Sequence, residues 1–230
     1  MSNILLLIKS VGWRVIATAL TALIAWWVTG SISTAISIGL IDTFIKLVIY
    51  YLYDLGWLKY HRSRRKPAKV VWLTGLSGAG KTTIAEALTK ELQKQDRPSV
   101  ILDGDYIRDI LPAGFDKAAR EAHVRRVAQM AAILEAQNII PIVSLISPYS
   151  EGRKEARGYA KNFLEVYLNT SIHVCRARDV KGLYAKVDKG EIKNFTGVDA
   201  PYQKPTAPDI SINTKELSIK TSVEIILKKL

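Results

Sequence analysis

The residues with the clearest chemical content are eight in a row, Gly75-Leu76-Ser77-Gly78-Ala79-Gly80-Lys81-Thr82, followed by Thr83. Gly75, Gly78 and Gly80 let backbone N–H groups turn inward around phosphate oxygens, with Ser77 and Ala79 between them and a helix N-terminus behind. Lys81 has the reach for β- and γ-phosphates, and the Thr82 hydroxyl suits Mg²⁺. The spacing is that of a phosphate-binding loop, and the ligand and cofactor expected for it are ATP and Mg²⁺. A second group, Leu102-Asp103-Gly104-Asp105, offers a carboxylate. There it can orient an acceptor hydroxyl, accept its proton or hold Mg²⁺; alone, the same residues also read as an Asp-Gly turn.

Both groups need a frame to hold them. Residues 69–74, KVVWLT, form a short apolar, β-branched run of the kind expected for a buried parallel strand. Residues 83–93 follow the loop with helical spacing of Ile84, Leu88 and Leu92. Further strands are expected at 99–102, 139–144, 163–168 and 209–212, and helices at 120–136, 150–160 and 215–230. Such alternation implies an α/β domain, a parallel sheet flanked by helices with ligands at the strands' carboxyl ends. Asp103 and Asp105 then fall on the same edge as the phosphate loop.

The chain has 230 residues and a net charge of +12, with 48% hydrophobic residues. Nine basic residues against two acidic ones lie in 1–69. That excess beside an apolar region points to a membrane surface rather than to nucleic acid. Residues 15–28 carry no charge, and a second apolar stretch runs from 32 to about 52, after Thr29-Gly30-Ser31. Two spans joined by so short a turn imply a transmembrane helical hairpin. Lys9 and Arg14 before it, and Lys59, Arg62, Arg64, Arg65, Lys66 and Lys69 after it, put both ends in the cytoplasm by the positive-inside bias. Trp13 and the Tyr50, Tyr51, Tyr53, Trp57 group fit the inner interface, Trp26 and Trp27 the outer. Asp42 and Lys46, one turn apart within the second span, read as a mutual pair or helix contact, or as an ion or ligand site. The expectation is a multi-pass protein of the inner (cytoplasmic) membrane, divided into a hairpin (1–58), a basic juxtamembrane linker (59–68) and a cytoplasmic domain (69–230), with the lipid bilayer as a partner. Cys175 reads as buried filler. His61, His123 and His173 show no metal-ligand spacing. Arg125, Arg126, Arg153 and Arg157 each read as solvated helix charges.

Residues 69–230 resemble the adenylylsulfate kinases. The motifs are GLSGAGKTT at 75–83, LDGD at 102–105, ISPY at 146–149, ARD-x-KGLY at 177–184 and GEIKNFTGVDAPY at 190–202. The resemblance implies a P-loop kinase that phosphorylates the 3′-hydroxyl of adenosine 5′-phosphosulfate with MgATP, a step of sulfate activation. By matching positions, Asp105 is the acceptor-activating or Mg²⁺-organising carboxylate, and Lys81 and Ser147 lie near the reacting phosphoryl group. Arg178 lies near the ATP adenine. Arg108, Phe115, Arg120, His123, Lys181 and Phe195 hold the adenylylsulfate, the two phenylalanines on opposite faces of its purine. Residues from about 181 to 199 form a lid. Similar kinases are commonly dimers, so a homodimer is a further partner state. Residues 10–57 resemble a family of small two-span membrane proteins of unknown function, through Trp13-Arg14-Val15-Ile16-Ala17-Thr18, Ser37-Ile38-Gly39-Leu40-Ile41 and the Lys46…Tyr50-Tyr51-Leu52 run.

The chain departs from the kinase pattern on the acceptor side. Tyr106 and His123 each stand where Asn is usual, and the stretch from Arg108 to Phe115 is about two residues short. Two rivals follow: a related kinase acting on another nucleotide-linked acceptor, and a nucleotide-binding membrane scaffold without catalysis.

Overall fold

A computed structural model describes the backbone of residues 3–64 and 66–230 and the side chains of 15–56 and 66–230. The chain divides into two compact units, Met1–Arg65 and Lys66–Leu230.

The first unit is a pair of helices, α1 (Asn3–Thr29) and α2 (Ile32–Arg64). They turn at Gly30, whose φ of 66° is left-handed. Ala22 approaches Gly39, and the hydroxyls of Thr18 and Thr43 lie 3.3 Å apart, so the helices run antiparallel. Small residues at the crossing allow this close approach. Lys46 Nζ donates to Asp42 Oδ2 at 2.6 Å, the intrahelical pair expected from the spacing. Among the described residues one stretch, Ile32–Gly56, is long and apolar enough to cross a membrane; the described apolar part of α1, Val15–Thr29, is shorter. The helix α2 continues through Gly56 to Arg64, into the expected linker, and stops short of Pro67, which disfavours helical geometry in the residue before it. The side chains of Lys9, Trp13, Arg14, Trp57, Lys59, Arg62, Arg64 and Arg65, on which much of the orientation argument rests, lie outside the described residues.

The second unit is built on β1 (Val70–Thr74), which is buried throughout. With β2 (Ser99–Asp103), β3 (Ile140–Ser144), β4 (Phe163–Leu168) and β5 (Ile210–Ile212) it forms a parallel sheet of order β2-β3-β1-β4-β5. Strand order reverses at β1, so its carboxyl end opens onto the crevice where such sheets bind ligands. Side chains alternate along β1. Val71 and Leu73 face a core completed by Ile84, Leu88 and Leu92 of α3 (Lys81–Lys94) and Val223 and Ile226 of α9 (Ile219–Leu227). Val70 and Trp72 face Val124, Val127 and Ala131 of α5 (Lys117–Ala136) and Ala156 of α6 (Ser150–Tyr159). Truncating Leu73, Leu88 or Ile226 to alanine costs about 2–5 kcal/mol.

The expected strands and long helices are present within three residues at nearly every end. The C-terminal helix starts at Ile219 rather than 215, because Ser218 caps it by accepting from Thr221 N. Three short helices were not expected: α4 (Gly104–Ile110), α7 (Ile172–Arg178) and α8 (Leu183–Asp188). Each has two turns or fewer, too short for periodicity to register.

Candidate active site

A cavity of about 850 Å³ opens at the carboxyl end of β1 and has two unlike halves. One is the phosphate loop. Gly78 adopts φ 75°, and a Cβ there would meet Cys175 O at 2.9 Å. Gly80, at φ 95°, is the N-cap of α3 and offers no side chain to it, so the helix's first N–H groups stay available. The loop is braced from outside. Tyr184 donates its hydroxyl to Ser77 O, Thr214 to Ala79 O, and Arg178 to Gly78 O and to both oxygens of Thr214. Cys175 is fully buried beneath, as expected.

Lys81 Nζ donates to the carbonyls of Gly75 and Leu76 at 3.0 and 2.8 Å. Burial pulls its pKa down to about 8, against the opposing pull of Cys175, Asp103 and Asp105. An ammonium so desolvated gains most from an arriving phosphate.

The Thr82 hydroxyl donates to Asp103 Oδ2 at 2.8 Å and lies 3.3 Å from Ser144 Oγ. Asp103 also caps α4, accepting from Asp105 N. Asp105 instead pairs with Lys181. Thr82, Asp103 and Asp105 all line the cavity, and the carboxylate hydrogen-bonded to Thr82 is that of Asp103. A hydroxyl and a carboxylate, hard oxygen donors beside a phosphate cradle, fit Mg²⁺, which seldom takes more than two protein carboxylates.

The other half is lined by α4, α5 and residues 192–196. Arg108 Nη1 donates to the carbonyls of Ala113 and Gly114, and its guanidinium lies 4.6 Å over the Phe115 ring. Burial and the nearby Arg120 lower its pKa below the usual guanidinium value, while Asp105 works the other way. Arg120 is buried and donates to Phe115 O at 2.6 Å, to Thr196 Oγ1 and to Asn194 O. Asp199 accepts from the N–H groups of Asn194 and Phe195, fixing the segment that carries Phe195. Phe195 packs edge-on against Tyr184, 5.0 Å between centroids. Phe115 is 61% exposed at the mouth. His123 lines the cavity, is 1% exposed, and neither ring nitrogen has a hydrogen-bond partner among the described residues. Burial, then Arg108 and Arg126, push its pKa down to about 4. Tyr106 differs: it is 65% exposed and is not among the residues lining the cavity.

Ser147 lies at the cavity edge, but its hydroxyl is turned inward. It donates to Thr74 Oγ1 at 2.9 Å and accepts from Trp72 Nε1 at 3.1 Å. Its φ of 40° is unusual for a side-chain-bearing residue, and Arg153 braces the turn by donating to its carbonyl at 2.7 Å. Arg153, expected in solvent, is buried; its remaining donors reach Glu165 Oε1 and Gln203 O. Arg125 and Arg157 are surface residues paired with Glu155 and Asp209. Sequence reasoning thus missed Asp103, Arg153 and the Tyr202 hydroxyl, 3.0 Å from Thr74 Oγ1. The partners of Arg153 lie 6, 12 and 50 residues away along the chain, outside the spacing of its own helix.

Residues 67–213 match the family model described as adenylylsulphate kinase, and residues 7–58 match one described as predicted membrane protein (DUF2061). The chain is 46% identical over 162 residues to the adenylyl-sulfate kinase of Gloeothece citriformis, covering 70% of this chain and 92% of that protein. It is 43% identical over 165 residues to a probable adenylyl-sulfate kinase of Pseudomonas aeruginosa, covering 71% and 77%. Among solved structures it is similar to the Mycobacterium tuberculosis APS kinase in complex with AMPPNP and APS. There the TM-score is 0.68 and identity 36%, over 71% of this chain and 98% of that one.

Proposed function

The chain belongs to the adenylylsulphate kinase family and is an ATP-dependent kinase, and on that premise we propose that it is membrane-anchored and makes 3′-phosphoadenylylsulfate from ATP and adenosine 5′-phosphosulfate. The observation that carries the acceptor assignment is the division of one cavity between a phosphate loop and a wall of Arg108, Arg120, Phe115 and Phe195. Two guanidiniums suit a phosphosulfate, and two phenylalanines suit a purine.

In this reading the loop N–H groups and Lys81 hold the ATP phosphates, and Arg178 closes over the nucleotide. Thr82 and Asp103 would hold Mg²⁺, which when bound supplies charge neutralisation on the phosphates. Lys181 leaves Asp105 for anionic oxygens of the reactants, and the freed carboxylate accepts the proton of the 3′-hydroxyl. The O3′–Pγ bond forms as the bond from Pγ to the ADP oxygen breaks. Phosphoryl transfer asks mainly for such positioning and neutralisation. Ser147 supports the turn rather than touching the phosphoryl group. The segment 181–199 excludes water as a lid.

Anchoring is supported by the match over residues 7–58 and by the apolar stretch Ile32–Gly56 with its side chains mostly exposed. Two spans with both ends in the cytoplasm make residues 1–58 the hairpin and 69–230 the catalytic domain. Coupled ADP release by the full chain with adenylylsulfate tests the chemistry; folded, ATP-binding protein that releases none refutes it. Removal of residues 1–58 should free active protein from membranes, and continued sedimentation with membranes after a high-salt wash would contradict the anchor.

A second reading, another nucleotide-linked acceptor, is favoured by one observation. His123 is the departure from the family pattern that lines the cavity, whereas Tyr106 faces outward.

A further inference from the structure

The edge of the sheet opposite the cavity carries charge that no step of the proposed reaction uses. It gathers the amino ends of the strands and, because the sheet is parallel, the carboxyl ends of the covering helices. Hydrogen bonds tie it into one surface. Lys69, just before β1, donates from Nζ to Lys229 O at 2.5 Å, and Val70 N donates to Asn162 O at 2.9 Å. Arg97, just before β2, donates to Leu230 O at 3.5 Å, and Ile140 N at the start of β3 donates to Pro98 O. Lys66, Lys161, Lys228 and Lys229 are exposed on it. Of the acids near them, Glu135 is buried and accepts from Lys161 N and Asn162 N, and Glu91 and Asp209 are paired with Lys94 and Arg157. Asp96 and Glu224 are exposed. Six cations, with Lys69 and Arg97 included, then stand against those two acids, and the edge is basic.

A cation beside a helix carboxyl end complements the helix dipole, and Lys228, the C-cap of α9, has that place. Lys66, Lys69 and Arg97 precede strands instead. What the six share is the edge, and it is the edge at which the second unit begins, at Lys66, directly after the apolar first unit. We propose that this edge docks on anionic lipid headgroups, with Lys161, Lys228 and Lys229 supplying contacts from the kinase domain itself. Lys and Arg side chains near such a surface are attracted to it within about a Debye length, ~10 Å at 0.1 M salt. The chain tether keeps headgroups at high local concentration, so a modest excess of charge is enough. Docked on this edge, the domain turns its cavity away from the lipid, open to two soluble nucleotides. The inference rests on the reading that residues 1–58 anchor the chain in a membrane.

The test uses the full chain in lipid nanodiscs, of phosphatidylcholine alone or of phosphatidylcholine mixed with phosphatidylglycerol. Exposed lysines are acetylated by a water-soluble reagent and read by mass spectrometry. Acetylation of Lys161, Lys228 and Lys229 should be about fivefold slower in the phosphatidylglycerol discs, the factor that one lysine's attraction to such a surface supplies. High salt should remove the difference. Lys186 and Lys189, exposed on α8, should react alike in both discs. Equal rates for Lys161, Lys228 and Lys229 in the two discs would leave these cations serving their helix ends alone and overturn the proposal. The double variant Lys228→Glu with Lys229→Glu should lose the lipid-dependent protection of Lys161, while its ADP release in detergent stays that of the wild type. Undiminished protection of Lys161 in that variant would also overturn the proposal. If the chain does not enter the discs, the anchoring reading fails; if it enters and lipid charge changes nothing, only this inference fails.

Discussion

The two halves of the cavity are made in different ways. The phosphate half comes from one stretch, residues 75–82, whose backbone forms the cradle and whose external braces, Tyr184, Arg178 and Thr214, only hold it in place. The acceptor half has no such stretch. Its central guanidinium, Arg120 on α5, is positioned by oxygens from residues 115, 194 and 196, and its Phe195 depends on Asp199. Backbone tolerates substitution around it, whereas a wall of side chains changes with each residue. Departures from the family pattern at 106, 109–115 and 123 lie on α4, on α5 and on the loop between them, and of the substituted residues Tyr106 and His123 it is His123 that lines the cavity.

Experiments that break one half and spare the other sharpen the contrast. Lys81→Ala should have the largest effect, lowering kcat about 10³-fold with the acceptor KM little changed, read by coupled ADP release. Arg120→Ala should raise the acceptor KM about 100-fold, as for loss of a charge-assisted contact, with the ATP KM unchanged. It should also speed proteolysis within residues 190–200, because Asn194 and Thr196 lose their anchor. Acid should act on the second half first. The folded protein holds His123 near pKa 4 against an ordinary 6.5, so between those values the unfolded chain binds a proton the folded chain does not. Stability should therefore fall as pH drops from 6.5 to 4, and the His123→Leu variant should lose that component in denaturant titrations at several pH values. Tyr202→Phe should matter least, about 1 kcal/mol of stability, because Thr74 keeps its bond to Ile146 O.

Legibility followed the same divide. The loop, its strand and its helix were readable because motif, β-branched run and 3.6-residue spacing lie side by side. The five strands were readable because buried parallel strands are continuous apolar runs between turns. Asp103 was overlooked in favour of Asp105 because the two carboxylates are two residues apart, and the contact of Asp103 with Thr82 forms only when β2 lies beside the phosphate loop. Arg153 looked like any surface arginine until Glu165, Ser147 and Gln203 surrounded it. Ser147 looked like a phosphoryl neighbour until Trp72 and Thr74 engaged its hydroxyl.

By itself the sequence determined the phosphate loop, the parallel α/β frame around it and the presence of an apolar N-terminal region, since each depends on residues close together along the chain. The tertiary structure decided which carboxylate meets Thr82, which arginines are buried, and that Tyr106 faces out while His123 faces in with no partner. Those outcomes depend on bringing together residues up to 76 positions apart, and local spacing holds no record of that.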